Sequence, residues 1–210
     1  MYKYYIIIIF LFTGIIAGMV QYDLIIPVFN NTGAYYHGIR GENKVSICFN
    51  VDWGEEYIPG ILRILDKKGV KVTFFVTGIW AKKFPDLIQG MAFYEHELGN
   101  HGYSHKNPKK LSNTALINLI QENEKIIYEI TGKRTRLFAP PYGEVDKRIT
   151  SIAESLDYKT IMWSADTIDW QRPNPEIITQ RSLNKVSDGG IILMHRTEPT
   201  LKELPEILNG

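Results

Sequence analysis

From Val45 onward the chain alternates short apolar runs with longer amphipathic stretches, and this rhythm leaves few folds open. "VSICFNV" reads as a buried strand, because β-branched and aromatic residues fill a short apolar run. "EEYIPGILRILDKKG" reads as a helix: Ile58, Ile61, Leu62 and Leu65 fall at helical spacing, Pro59 suits the first turn and Gly69 supplies the stop. The alternation continues with a strand at "VKVTFFVTG", a helical stretch at "AKKFPDLIQGMAFY" broken near Pro85, and a short strand at "HELGNH". "LSNTALINLIQENEKIIYEITG" is the longest predicted helix, ended by Gly132. Then come strand "RLFAP", helix "DKRITSIAESL", strand "KTIMWS", helix "PEIITQRSLNKV" and strand "GGIILMH". Strands that alternate with helices call for parallel pairing with crossover helices. The rhythm alone allows either an open doubly wound sheet or a barrel. In both, functional residues gather where strands end.

That is where the chemically able residues fall. Asn50 and Asp52 follow the first strand, His101 and His105 the third, Asp166 and Asp169 the fifth, and His195 the last. "HGYSH" places two imidazoles four residues apart, on one face if the segment is helical. Imidazole nitrogens suit borderline divalent metals, and a catalytic site commonly takes three protein ligands and leaves a position for water. Asp52 is the candidate third ligand.

Length and charge narrow the rest. The 210 residues carry a formal net charge of +1, which suffices for one domain and argues against a nucleic-acid partner, whose phosphates reward a clustered basic surface. Cys48 is the only cysteine, so no internal disulfide can form, and its apolar neighbours make it a small buried hydrophobe. Residues 1–20 carry Lys3 and then a mostly apolar run, which fits a signal peptide or a signal-anchor. Residues 21–43 read as a linker or irregular lead-in, and 44–210 as the functional domain. An extracytoplasmic protein follows, secreted or anchored, touching membrane only through its N-terminal segment.

These residues resemble the polysaccharide deacetylases of the NodB homology type, carbohydrate esterase family 4. The resemblance runs from about Val45 to His195 through five motifs: "CFNVDWG", "HGYSH", "APPYG", the Asp166, Asp169 and Trp170 set, and Leu193 with His195. "VDWGEEYIPGIL" resembles a subgroup tied to sporulation in Gram-positive spore formers. The resemblance implies a distorted (β/α) barrel, here lacking the last strand because "TLKELPEILNG" gives only most of a closing helix. It implies a metal-dependent hydrolase that removes acetyl groups from N-acetylated polysaccharide such as peptidoglycan or a chitin-like glycan. The cofactor would be a divalent metal, zinc first, with cobalt or nickel as substitutes. Asp52, His101 and His105 take the ligand positions, His195 the acid, and the Tyr142 backbone N–H the oxyanion contact. Trp170, Tyr142 and Leu193 line the substrate groove.

Two departures bear on activity. Asn50 stands at the catalytic-base position, and Ala139 stands where the family carries an Arg that links the base to Asp166. An amide is no base at neutral pH. Three readings remain: slow hydrolysis with His195 as acid or as both acid and base, a shift of the base role to Asp166, or binding of metal and glycan with little turnover. Of the remaining candidates, Trp163 is expected in the core, Tyr103 either at the cleft border or in a structural role, and His96 in a structural hydrogen bond.

Overall fold

The computed structural model describes residues 32–210. The signal or anchor segment and residues 21–31 of the lead-in lie outside them. Among the described residues no helix is long and apolar enough to cross a membrane.

Seven strands form one sheet: β1 (Ser46–Val51), β2 (Thr73–Val76), β3 (Glu97–Asn100), β4 (Leu137–Phe138), β5 (Lys159–Thr160), β6 (Ala165–Asp166) and β7 (Ile191–Met194). Their spatial order is β5-β4-β3-β2-β1-β7-β6, and every pairing is parallel. The helices between them are α1 (Ile58–Lys68), α2 (Gly78–Lys83), α3 (Pro85–Phe93), α4 (Asn113–Thr131), α5 (Lys147–Ser155) and α6 (Pro175–Leu183), and α7 (Glu198–Ile207) follows the last strand. Because all strands run the same way, all their C-terminal ends share one rim.

The sheet is curled, and its connectivity requires this. In a flat sheet β5 and β6, at opposite edges, would stand six strand spacings apart, roughly 29 Å at about 4.8 Å each. Yet Thr160 and Ala165 are joined by only five peptide steps, which reach at most about 18 Å. The edges must therefore bend toward each other, giving a distorted, incompletely closed barrel. This also accounts for the difference in strand count. The stretch read as one strand, "KTIMWS", is a strand only at its start, which pairs with β4, and a separate strand, β6, follows it and pairs with β7. Two residues of the lead-in join this region, as Tyr35 bridges to Ile161 and His37 to Gly190.

The helices form where the periodicity places them. In α1, Ile58, Ile61, Leu62 and Leu65 are buried, Pro59 lies in the first turn, and Gly69 takes the left-handed conformation that ends the helix. Each such side chain contributes about 1.5–3 kcal/mol on burial. The predicted break near Pro85 separates α2 from α3. In α4 the Ser112 side chain accepts from the Ala115 N–H, Gly132 closes the end, and Leu116, Leu119, Ile120 and Ile127 are buried. The larger core packs β1, β2 and β7 against α1, α3 and α7 through Phe49, Phe74, Leu65, Met91 and Leu204. Cys48 is buried in a second cluster with Phe75 and Leu193, and burial pushes its thiol up to about 12, which makes it inert. His96 is also buried. Its Nδ1 accepts from the Val72 N–H at 3.4 Å, its ring meets Phe74 edge-on, and burial holds it down to about 4.

Candidate active site

The rim at the strand ends opens into a cleft of about 510 Å³, a size typical of small-molecule sites. Asn50, Asp52, His101, His105, Tyr142, Asp166, Trp170, Leu193 and His195 all line it. Nine residues singled out from the sequence thus share this one place, while Asp169 is buried behind His195 and is not part of the lining.

His101 follows β3 directly and is buried. Its Nδ1 lies 2.7 Å from the Ala139 carbonyl, which can only accept, so Nδ1 carries the proton and Nε2 keeps a lone pair. Ala139 lacks a side chain able to replace the family's Arg, yet its carbonyl fixes the tautomer of a ligand candidate. His101 and His105 have ring centroids 5.0 Å apart. No helix brings them together, contrary to the premise behind the four-residue spacing: residues 101–107 form a loop. The turn is made at Gly102, whose φ of 76° favours glycine and where a Cβ would lie 2.9 Å from Leu119 Cγ. Burial, then the charge of neighbouring His105, push His101 well below its ordinary range. Burial also lowers His105, with the Asp52 carboxylate acting in the opposite sense. Both rings are thus neutral and able to donate lone pairs to a cation.

Asp52 accepts from the Thr77 hydroxyl at 2.8 Å. A carboxylate and two neutral imidazoles are the donor chemistry a divalent cation such as zinc takes. The three share the cleft but are not drawn into a closed cage: among the described residues no three His, Cys, Asp or Glu side chains form a group that could already hold an ion.

Asn50 is 7% exposed and its Oδ1 is buried without a hydrogen-bond partner among the described residues. Leaving a buried acceptor unpaired costs about 1–3 kcal/mol. Tyr142 adopts a φ of 63°, rare for a bulky residue, and its ring packs 4.5 Å from that of His105. Trp170 is half exposed and forms a wall. Trp163 packs against the Cys48 core cluster as expected, but is not wholly inside it. It is half-buried, packs beneath Gly143 and faces the cleft as well. Tyr103 packs on the Leu116 cluster and has a structural role.

Three contributors were not legible as such. Asp169 is fully buried and grips His195 twice: the backbone N–H donates to Oδ2 at 2.7 Å and Nδ1–H to Oδ1 at 2.8 Å. The Thr200 hydroxyl donates to the same carboxylate at 2.5 Å. His195 therefore keeps Nε2 for proton exchange. Thr77, at the end of β2, orients Asp52. Arg196, beside His195, is 1% exposed and lines the cleft, with its guanidinium 4.6 Å above the Trp53 ring. Burial pulls it down to about 9, opposed by nearby carboxylates led by Asp52, so it remains a cation at neutral pH. The signals available were the place of Asp169 in the fourth motif and the adjacency of Arg196 to His195, but partners from distant strands are decided only by folding.

The polysaccharide deacetylase family model matches residues 37–161. The chain belongs to the polysaccharide deacetylase family. It is 34% identical over 157 residues to a peptidoglycan-N-acetylglucosamine deacetylase of Bacillus cereus, a match covering 74% of this chain and 57% of that protein. It is 37% identical over 173 residues to the uncharacterized protein YlxY of Bacillus subtilis, covering 82% of this chain and 54% of that one. The chain thus spans about half the length of these curated relatives. Among solved structures it is similar to a CE4 family pseudoenzyme from Bacillus anthracis, with a TM-score of 0.83, 37% identity, and coverage of 86% of this chain and 64% of that one. A mutant of that pseudoenzyme with restored enzymatic activity matches at the same TM-score, with 36% identity and coverage of 86% of this chain and 66% of that one. The barrel of parallel strands is the fold of these deacetylases.

Proposed function

We propose that this chain is a metal-dependent deacetylase-type hydrolase of N-acetylated cell-wall polysaccharide, attenuated by its own residues at two positions. The observation that carries this reading is Asn50. A neutral amide stands at the cleft floor with its oxygen unpaired, in the company of Asp52, His101, His105, Tyr142 and His195.

Asp52 and the Nε2 atoms of His101 and His105 would hold the divalent ion, with zinc the first candidate and cobalt or nickel alternatives. When bound, that ion supplies Lewis-acid polarisation of the acetamide carbonyl. The chain's residues do the rest. His195, oriented by Asp169, holds a proton at Nε2 for the departing amine. The Tyr142 backbone N–H is the donor for charge developing on the carbonyl oxygen, a contact worth about 3–4 kcal/mol where it operates. Trp170 and Tyr142, both exposed, offer apolar area to a sugar face, whereas Leu193, expected to join them, is buried and only backs the cleft. Asn50 accepts a hydrogen bond but takes no proton, so the general-base contribution, about 10²–10⁴ in rate, is missing. Asp166 lines the same cleft and is the remaining carboxylate able to serve, although its Oδ1 already accepts from the Ile168 N–H at 2.9 Å.

A second reading has a specific observation in its favour. The similarity to a pseudoenzyme, together with Asn50 and Ala139, suits a protein that binds metal and glycan in a wall or spore assembly without appreciable turnover. In either case the protein acts outside the cytoplasm, where N-acetylated wall glycan is found.

Acetate release from an N-acetylated chito-oligosaccharide and from peptidoglycan, with saturating zinc, separates the two. Slow, zinc-dependent release that His195→Ala abolishes supports the hydrolase. Glycan affinity without release, unchanged by His195→Ala, supports the binding protein.

A further inference from the structure

The cleft contains a cation of its own. Arg196 follows the last strand and is almost wholly buried at the cleft wall. Its only hydrogen bond among the described residues runs from Nε–H to the Trp53 carbonyl, and Nη2 is buried without a partner. No carboxylate among the described residues lies within ion-pair distance of it. The backbone is shaped to admit it: at Gly54, with φ 73°, a Cβ would lie 2.9 Å from Arg196 Cγ and 2.5 Å from its carbonyl oxygen. Trp53 and Gly54 immediately follow Asp52, so the guanidinium is held by the same loop that presents the carboxylate.

A buried cation without a contact ion pair relies on the field of surrounding carboxylates, and Asp52 leads those around Arg196. Charge in a partly desolvated cleft acts over several ångströms with little screening. A divalent ion placed among Asp52, His101 and His105 would meet a like charge and share its only carboxylate ligand. We infer that Arg196 is a specificity-determining residue that lowers the affinity of the Asp52–His101–His105 cleft for divalent cations, acting through Asp52 as a built-in counter-charge. The inference rests on the ligand assignment proposed above. It adds a second attenuating device, independent of the base.

The test is zinc binding, measured by calorimetry and chelator competition on the intact protein, with no activity readout. Arg196→Met removes the charge and keeps most of the apolar stem, and should tighten zinc binding about ten-fold or more. Arg196→Lys keeps the charge and loses the stacking geometry, and should stay within about three-fold of the parent. A purely structural tether to Trp53 would instead disturb both variants alike. Adding Asp52→Asn to Arg196→Met should remove the gain, which places it at this cleft. If Arg196→Met does not fold, Arg196→Gln carries the same expectation. Equal zinc affinity in the parent and the neutral variants overturns the role of Arg196 and leaves the ligand assignment standing. No zinc binding by any of these proteins overturns the ligand assignment and the inference with it.

Discussion

At the scale of single residues, the chemistry of this cleft turns on which atoms carry protons. His101 is fixed with its proton on Nδ1 by the Ala139 carbonyl, and His195 in the same sense by Asp169. These two acceptors come from a loop after β4 and a turn after β6, so neither pairing could be read from local sequence. What was legible was residue type at strand ends. The carboxylate and the imidazoles were named from residue type and spacing, and the missing base from the family resemblance, because each belongs to a short contiguous stretch. Arg196 and Asp169 were visible in the sequence without a role, because their partners lie far away in the chain. The Asp169 contacts yield a prediction. Introduced beside Asn50→Asp, Asp169→Asn leaves His195 without its carboxylate acceptor and should lower kcat for acetate release about 100-fold or more, with zinc affinity little changed. Steady-state kinetics paired with a zinc titration check both halves.

At the scale of elements, the ligand loop is held by a buried polar network between β3 and α4. Asn100, at the end of β3, donates to the Ile120 carbonyl at 2.9 Å and accepts at 2.8 Å from both the Gly102 N–H and Asn123 Nδ2. Asn123 also donates to the Val76 carbonyl at 2.8 Å, tying β2 into the same arrangement. Both amides are fully buried. The network thus sets where the chain leaves β3 and, one residue on, where His101 begins. Asn100→Ala orphans several buried groups at once and should lower unfolding free energy by about 3 kcal/mol or more, read from urea denaturation. Zinc binding should weaken with it, because the turn at Gly102 loses its acceptor. Helix periodicity was legible throughout because each apolar face meets the core directly. The network was not, because an Asn within a strand or a helix gives no sign of whether it faces solvent or another amide.

At the scale of the whole molecule, a curled parallel sheet brings strand ends that are far apart in the sequence to one rim. The alternation of strands and helices predicted parallel pairing, yet left barrel and open sheet undecided, since closure depends on a connection too short to show periodicity. That connection, five peptide steps from Thr160 to Ala165, carries the chain between the two sheet edges. On the proposed reading the cleft has its acid, its metal donors and its aromatic walls, and lacks the usual proton acceptor. Its attenuation would then be local, and restoring one carboxylate should raise activity without remaking the fold. The most direct measurement is acetate release from N-acetylated chito-oligosaccharide at saturating zinc, comparing the parent chain with Asn50→Asp, alone and combined with Ala139→Arg. The account predicts a gain of about 10²–10⁴ in rate, the size of a restored general base. A folded, zinc-binding double variant that releases acetate no faster than its parent would contradict it.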